Sequence, residues 1–337
     1  MRRRWVVAIV VLLLLVGGTG ASAVVARAGL EPVSPGAQQP LVVVVRHYEA
    51  VAQVIDELAS DHLIRSSFWF GLYGIARNLP SRLHPGRFVL DRGMAASEVI
   101  AVLEGPSVPG PVRVTIPDGL TTRAIAGRLA RAGLFSATAY LQAVHQGGLP
   151  GQQPLPGTPP SLGWVGLCFG DTYDVAPHTV PAAFLALQVA DFNRRLRPAI
   201  LDGAAAVHLT PYQVVILASI VSAEVARPRD QRLVAGVFLN RLAQGMPLQS
   251  DPTVTYAEGL AGRSGFSVTF PSPYNTYLHR ALPPGPIDNP GVSAVLAVLH
   301  PIRSDYLYFV SLKSGRVLYS VTAAQHQLQV QQAGAGG

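Results

Sequence analysis

The acidic side chain of Glu224 closes the apolar run Val214 to Val221, and Pro228 follows four residues beyond it. The run is apolar on every side apart from Ser219, so it reads as a helix buried in a domain centre. Thr210 suits the N-cap, Pro211 the first helical position, and Gln213 completes a capping box. A carboxylate in the last turn of such a helix meets the negative end of the helix dipole and an apolar core. Both penalise the ionised form. The expected result is a carboxyl group that keeps its proton towards neutral pH, as a general acid must. The competing reading is a surface carboxylate paired with Arg227 three positions on, a contact worth little.

Two further segments are rich in short-range hydrogen-bonding residues. The first runs from Val237 to Tyr256 and offers Asn240, Gln249, Asp251, Thr253 and Tyr256. The second is Ser272-Pro-Tyr274-Asn275-Thr276-Tyr277, followed by the rigid turn Leu282-Pro-Pro-Gly-Pro-Ile287. Tyr274 and Tyr277 offer ring faces for sugars, and Asn275 offers an amide for hydroxyl or N-acetyl groups. Such loops also simply cap cores, and residue types alone leave the two readings even. No pair among the nine histidines has HExxH-type spacing, and no phosphate-binding or dinucleotide fingerprint occurs. No metal and no cofactor is expected. Cys168, the lone cysteine, excludes an intramolecular disulfide and reads as a small core residue between Leu167 and Phe169.

The chain that must position these residues has 337 residues, 49% of them hydrophobic and 13% charged, which argues for ample core and against disorder. Its net charge of +7 is carried almost wholly by arginine. A basic surface suits an anionic partner: nucleic acid, lipid headgroups or a wall glycan bearing acidic peptides. Arg2, Arg3 and Arg4 precede an uncharged stretch of 22 residues, Trp5 to Ala26. About 20 residues span a bilayer, so this stretch predicts a membrane anchor with its N-terminus inside and the rest of the chain outside. A cleaved signal peptide ending at Ala21-Ser22-Ala23 is the competing reading. Residues 27–40 read as a linker.

An internal repeat follows. Val54, Leu58, Ala59, Leu63 and Ile64 recur 71 residues later as Ile125, Leu129, Ala130, Leu134 and Phe135. Each copy reads as a strand, an amphipathic helix and a second helical stretch, and the copies are expected to pack as one α/β domain over residues 41–146. The Gly/Pro/Gln-rich segment 147–160 reads as the boundary to a C-terminal domain over 161–330, with a frayed tail at 331–337.

Taken in order, Leu217 to Glu224, Val234 to Leu242, Gly245 to Tyr256, Tyr274 to Tyr277 and Leu282 to Gly285 resemble the endolytic murein transglycosylases, the YceG-like family. The resemblance extends over most of the chain, from the N-terminal anchor through a LysM-like region to Tyr306-Leu-Tyr-Phe-Val310. It implies an α+β fold: a transmembrane helix, LysM-like α/β modules, and a mixed catalytic domain built around a buried helix. It also implies lytic cleavage of the bond between N-acetylmuramic acid and N-acetylglucosamine within a nascent strand, which ends elongation. Glu224 matches the catalytic glutamate, and the implied product is a 1,6-anhydro end. The implied substrate-binding residues are Asn240, Gln249, Asp251, Thr253, Tyr256, Tyr274, Asn275, Thr276 and Tyr277. Implied partners are peptidoglycan strands, the membrane and peptidoglycan synthases, with no nucleic acid. The sequence departs from the family pattern at Ser222, where a second Glu is usual, at Val225, and at Val165, Leu167 and Gly170. Competing readings are a non-catalytic glycan-binding scaffold and a hydrolase that uses water.

Overall fold

The structure, a computed structural model, describes residues 21–335 apart from 38, 48, 147 and 313. The chain divides into two units, Met1–Gly110 and Pro111–Gly337. The expected anchor falls mostly on residues 1–20, outside the described residues. Its last six residues, Ala21 to Ala26, open helix α1 (Ala21–Leu30). Among the described residues no single helix is long and apolar enough to cross a membrane.

In the first unit α1 is followed by β1 (Pro40–Val45), α2 (Val51–Ser60), α3 (Ser67–Ala76), the single turn α4 (Leu79–Arg82), β2 (Gly86–Asp91) and α5 (Ala96–Glu104). The expected linker is therefore shorter than 27–40: its first four residues continue α1, because the alanines before them favour helix and the first proline is Pro32. β1 and β2 pair antiparallel, with Pro40 opposite Asp91 and Val45 opposite Gly86. Val43, Val45, Phe88 and Leu90 turn inward from this ribbon onto Val54, Leu58, Phe70, Val99 and Leu103. Two strands alone are marginal, and the helices supply the apolar face that holds them.

The second unit contains β3 (Val112–Thr115), α6 (Thr122–Arg131), α7 (Ala137–Gln146), β4 (Thr172–Val175), α8 (Pro181–Arg195), α9 (Arg197–Gly203), α10 (Pro211–Glu224), α11 (Pro228–Ala243), α12 (Asp251–Leu260), α13 (Val292–Leu299), β5 (Tyr308–Ser311), β6 (Val317–Ser320) and α14 (Ala323–Ala335). α10 is the central helix. Tyr212 and every residue from Val214 to Val221 are buried, and α11, α12 and α13 pack around it. The expected capping box is formed: Thr210 Oγ1 accepts from Gln213 N at 3.3 Å, and Gln213 Oε1 accepts from Thr210 N at 2.8 Å. β5 and β6 form a small antiparallel ribbon, Tyr308 opposite Ser320. The mixed α+β class is thus observed. The frayed tail expected from Gln331 is instead the last turn of α14 as far as Ala335.

The repeat has a backbone counterpart. Both copies are strand–helix–helix, and both first helices end in the same way. Leu63 N donates to Leu58 O and Leu134 N to Leu129 O, each just after a left-handed residue, His62 (φ 56°) or Gly133 (φ 72°). The copies do not share a domain, however. β3 of the second copy pairs with β4, Val112 opposite Val175, and α7 packs on α8. The divide therefore falls between Gly110 and Pro111 and not in the 147–160 segment. A four-residue strand must find a partner somewhere, and this one finds it beyond that segment.

Candidate active site

Glu224 is the last residue of α10, where Val225 turns the chain into extended backbone (φ −147°, ψ 141°). It is half-buried and makes no ion pair with Arg227 among the described residues. Its partner is Ser250, the N-cap residue of α12, whose Oγ donates to Glu224 Oε1 at 2.5 Å. Burial pushes the carboxyl group up to about 7, the Ser250 bond and the Arg241 guanidinium pull it down, and the Asp251 charge adds to the upward push. Glu224 Oε2 takes no hydrogen bond among the described residues. A proton-holding carboxyl group with one oxygen fixed and the other free can donate a proton to a bound molecule and take one back.

Ser250 is held from three sides. Its N–H donates to Thr276 Oγ1 at 3.0 Å, its carbonyl accepts from Thr253 Oγ1 at 2.6 Å, and Thr253 and Thr276 share a hydrogen bond of 2.9 Å. Both threonines are buried, so they brace Ser250 from beneath. Gln249, just before it, adopts left-handed backbone (φ 50°) and donates its N–H to Thr276 O at 3.1 Å. Asp251 accepts from Tyr277 Oη at 2.5 Å. Arg241 is buried, donating to the carbonyls of Leu307 at 2.6 Å and Leu248 at 2.7 Å. Gln249, Asp251, Thr253, Thr276 and Tyr277 thus gather around Ser250, which in turn holds Glu224. Ser250 and Arg241 were missed, the first as an ordinary serine between two singled-out residues, the second as one more arginine among many.

The side chains of the other expected ligands are engaged within the protein. Asn240 spends both amide protons on Ser304 O (2.7 Å) and Tyr306 O (3.0 Å). Asn275, fully buried, spends both on Val268 O (2.9 Å) and Phe270 O (2.8 Å), and its Oδ1 accepts from Tyr277 N at 3.0 Å. Neither side chain keeps a donor for a sugar, and both instead pin loops. Tyr256 and Tyr274 pack on one another, ring centres 5.0 Å apart, and Tyr274 is buried.

A second carboxyl group approaches α10. Ser222 Oγ lies 2.6 Å from Asp288 Oδ2, while the buried Asp288 Oδ1 has no hydrogen-bond partner among the described residues. Burial lifts Asp288 to about 7, and the Asp118 charge adds to this. Ser222 and Glu224 are two positions apart, hence roughly 200° around the helix, so the two carboxyl groups serve opposite faces of α10. The next residue, Asn289, ties the turn after Pro286 to the rest of the unit: its Oδ1 accepts from Cys168 N at 3.0 Å and its Nδ2 donates to Leu120 O at 2.9 Å. Gly170 also has a reason, since a β-carbon there would lie 2.6 Å from Asp118 Oδ1 and 2.8 Å from Ile116 O. Val165 and Leu167 are simply core.

The sequence profile of the YceG-like family matches residues 43–332. A Streptococcus pneumoniae D39 protein named endolytic murein transglycosylase is 26% identical over 330 residues, covering 89% of this chain. A Bacillus subtilis protein of the same name is 42% identical over 120 residues, 34% of this chain and 32% of its own length. The chain spans 60% of the length of the pneumococcal relative. A crystal structure of a YceG-like protein from Listeria monocytogenes is similar to this fold with a TM-score of 0.57 at 26% identity, covering 87% of this chain and all of the Listeria chain. With nearly the whole chain matched by one profile, and with a solved relative of the same fold, the protein belongs to the YceG-like family.

Proposed function

We propose that this protein is a membrane-anchored lytic transglycosylase that cuts peptidoglycan strands internally between N-acetylmuramic acid and N-acetylglucosamine, with Glu224 as its only acid/base. The observation that carries the reading is the Glu224 carboxyl group, lifted to about 7 at the end of a buried helix, with Oε1 held by Ser250. Protonated Glu224 gives its proton to the glycosidic oxygen as the C1–O bond breaks. The C6 hydroxyl of the muramoyl unit closes on C1 and passes its proton to the same carboxylate. Glu224 ends as it began, and the new terminus is a 1,6-anhydro ring. Most glycosidases need two carboxyl groups because water or the enzyme supplies the nucleophile. Here the substrate supplies it, so one acid on this face of α10 suffices. The names of the relatives support the same substrate class. Trp5 to Ala26 would hold the catalytic unit on the outer side of the cell membrane, close to strands as they are made.

The test is mass spectrometry of products from purified sacculi and isolated strands. Anhydromuramoyl ends are expected, with Glu224→Gln slower by about 10²–10⁴-fold. Reducing ends would mean a hydrolase. Undiminished cutting by Glu224→Gln would remove the acid/base from this residue.

A further inference from the structure

α1 carries the last six residues of the uncharged stretch Trp5 to Ala26 and continues to Leu30. Its Gly29 lies against the Trp69 ring of α3, so close that a β-carbon would come within 2.6 Å of Trp69 Cδ1. At about 1.5 Å of rise per helical residue, Gly29 sits roughly 4.5 Å past Ala26. α3 is therefore tied, through one helix and one packing contact, to the level at which the uncharged stretch ends. The α3 sequence, Ser67-Phe-Trp-Phe-Gly-Leu-Tyr-Gly-Ile-Ala76, contains no charge. Phe70 and Gly74 face the core. Phe68, Leu72 and Ile75 recur at the spacing of a single helical stripe that points away from it, with Phe68 63% and Ile75 53% exposed. Val25 of α1 is 57% exposed. Arg27, Arg65 and Arg77 are exposed at the ends of the two helices, and among the described residues none of them is in an ion pair; Arg65 Nε donates to Pro32 O at 2.7 Å and Arg77 lies over the Tyr73 ring. The two helices themselves contain no acid, and the turns that flank them hold Glu31, directly after α1, and Asp61, at the start of the turn into α3.

We propose that α3 and the open side of α1 form a lipid-surface contact, with α3 lying flat in the headgroup layer of an anionic bilayer. Phe68, Leu72 and Ile75 enter among the upper acyl carbons. Trp69 and Tyr73 sit at the polar boundary that suits their rings, and the arginines meet lipid phosphates. A soluble unit gains nothing from an uncharged helix with an exposed Phe and Ile, whereas one fixed at the mouth of a membrane anchor gains a second attachment. The first unit would then have a set orientation on the membrane. The proposal rests on reading Trp5 to Ala26 as an uncleaved anchor.

The test uses the full chain reconstituted in phosphatidylethanolamine/phosphatidylglycerol vesicles, with an environment-sensitive fluorophore on Phe68→Cys or, as reference, on Ser97→Cys, an exposed position on α5 of the same unit. Cys168 is buried and stays unlabelled. Nitroxide-bearing lipids labelled near the headgroup should quench position 68 at least about twofold more than position 97, with emission at 68 shifted to the blue. Equal quenching at both positions, with the protein retained on vesicles after an alkaline wash, overturns the lipid contact alone. Loss of the protein in that wash overturns the anchor reading and the contact with it.

Discussion

The proton on Glu224 is set by a contest between surroundings that raise its affinity and Ser250 and Arg241, which lower it. Ser250→Ala removes the first of the two lowering groups and leaves Arg241. The hydroxyl donates to the carboxylate and so favours the ionised form, and without it the carboxyl group titrates higher. Because the first step needs the protonated acid, kcat/KM for strand cutting should be high below pH 7 and fall above it. In Ser250→Ala that fall should move to higher pH, with kcat about tenfold lower from lost orientation. A pH–rate profile that stays in place would show that Ser250 does not hold the acid. Stability provides a second check. A free glutamate loses its proton near 4.5, whereas folded Glu224 keeps it to about 7, so the native state binds more protons between those values and loses stability as pH rises through that window. Glu224→Gln should melt with the parent at pH 4 and be more stable by roughly 1–2 kcal/mol at pH 8, the figure being discounted for partial exposure. Much of this was legible in the sequence, because a carboxylate ending an apolar run has few environments open to it. Ser250 was not legible. Its role depends on a tertiary approach of α12 to the end of α10, which no spacing within either segment encodes.

Among the elements, contacts made within one helical turn are legible in the sequence, whereas contacts between distant segments are not. Thr210, Pro211 and Gln213 act within one helical turn, and they cap α10 as their types dictate. Asn240 and Asn275 have the same chemistry as sugar ligands, but the carbonyls that consume the donors of Asn240 lie 64 and 66 positions on, and those that consume the donors of Asn275 lie on the earlier part of its own irregular loop. The segment between Pro286 and α13 shows how tightly such loops are set. Gly291, the N-cap residue of α13, has ordinary extended backbone, yet a β-carbon on it would overlap the Asp118 carboxylate. Gly291→Ala must therefore push Asp118 or α13 aside, and a loss of about 2–3 kcal/mol is expected from urea unfolding. Gly127, inside α6 with nothing near its missing β-carbon, is the matching control. Gly127→Ala should leave stability unchanged or raise it by about 0.5–1 kcal/mol. Equal effects at both sites would show that crowding at Asp118 is relieved at no cost.

For the whole molecule, the question is where one folding unit stops. Composition suggests the Gly- and Pro-rich segment 147–160, and a catalytic fragment cut there would begin at Ser161. Packing says otherwise. Val114 and Ile116, the second from the turn after β3, Ile125 and Leu129 from α6, and Tyr140 and Val144 from α7 are buried in the same core as Phe184, Tyr212 and Val221. At about 1.5–3 kcal/mol per buried side chain, these six contribute roughly 10–20 kcal/mol, as much as the whole net stability of a typical domain. Removing them would also leave β4 without its partner and the Phe184 ring without Tyr140. Residues 111–337 should therefore unfold in one cooperative transition and still cut isolated glycan strands, whereas residues 161–337 should show no cooperative transition by calorimetry. Cooperative folding of the shorter fragment would restore the boundary that composition suggests. Composition reads as a boundary there because it records only that the chain turns. Whether the elements on either side share a core is decided by a pairing between β3 and β4, short strands whose facing residues Arg113 and Asp174 are 61 positions apart.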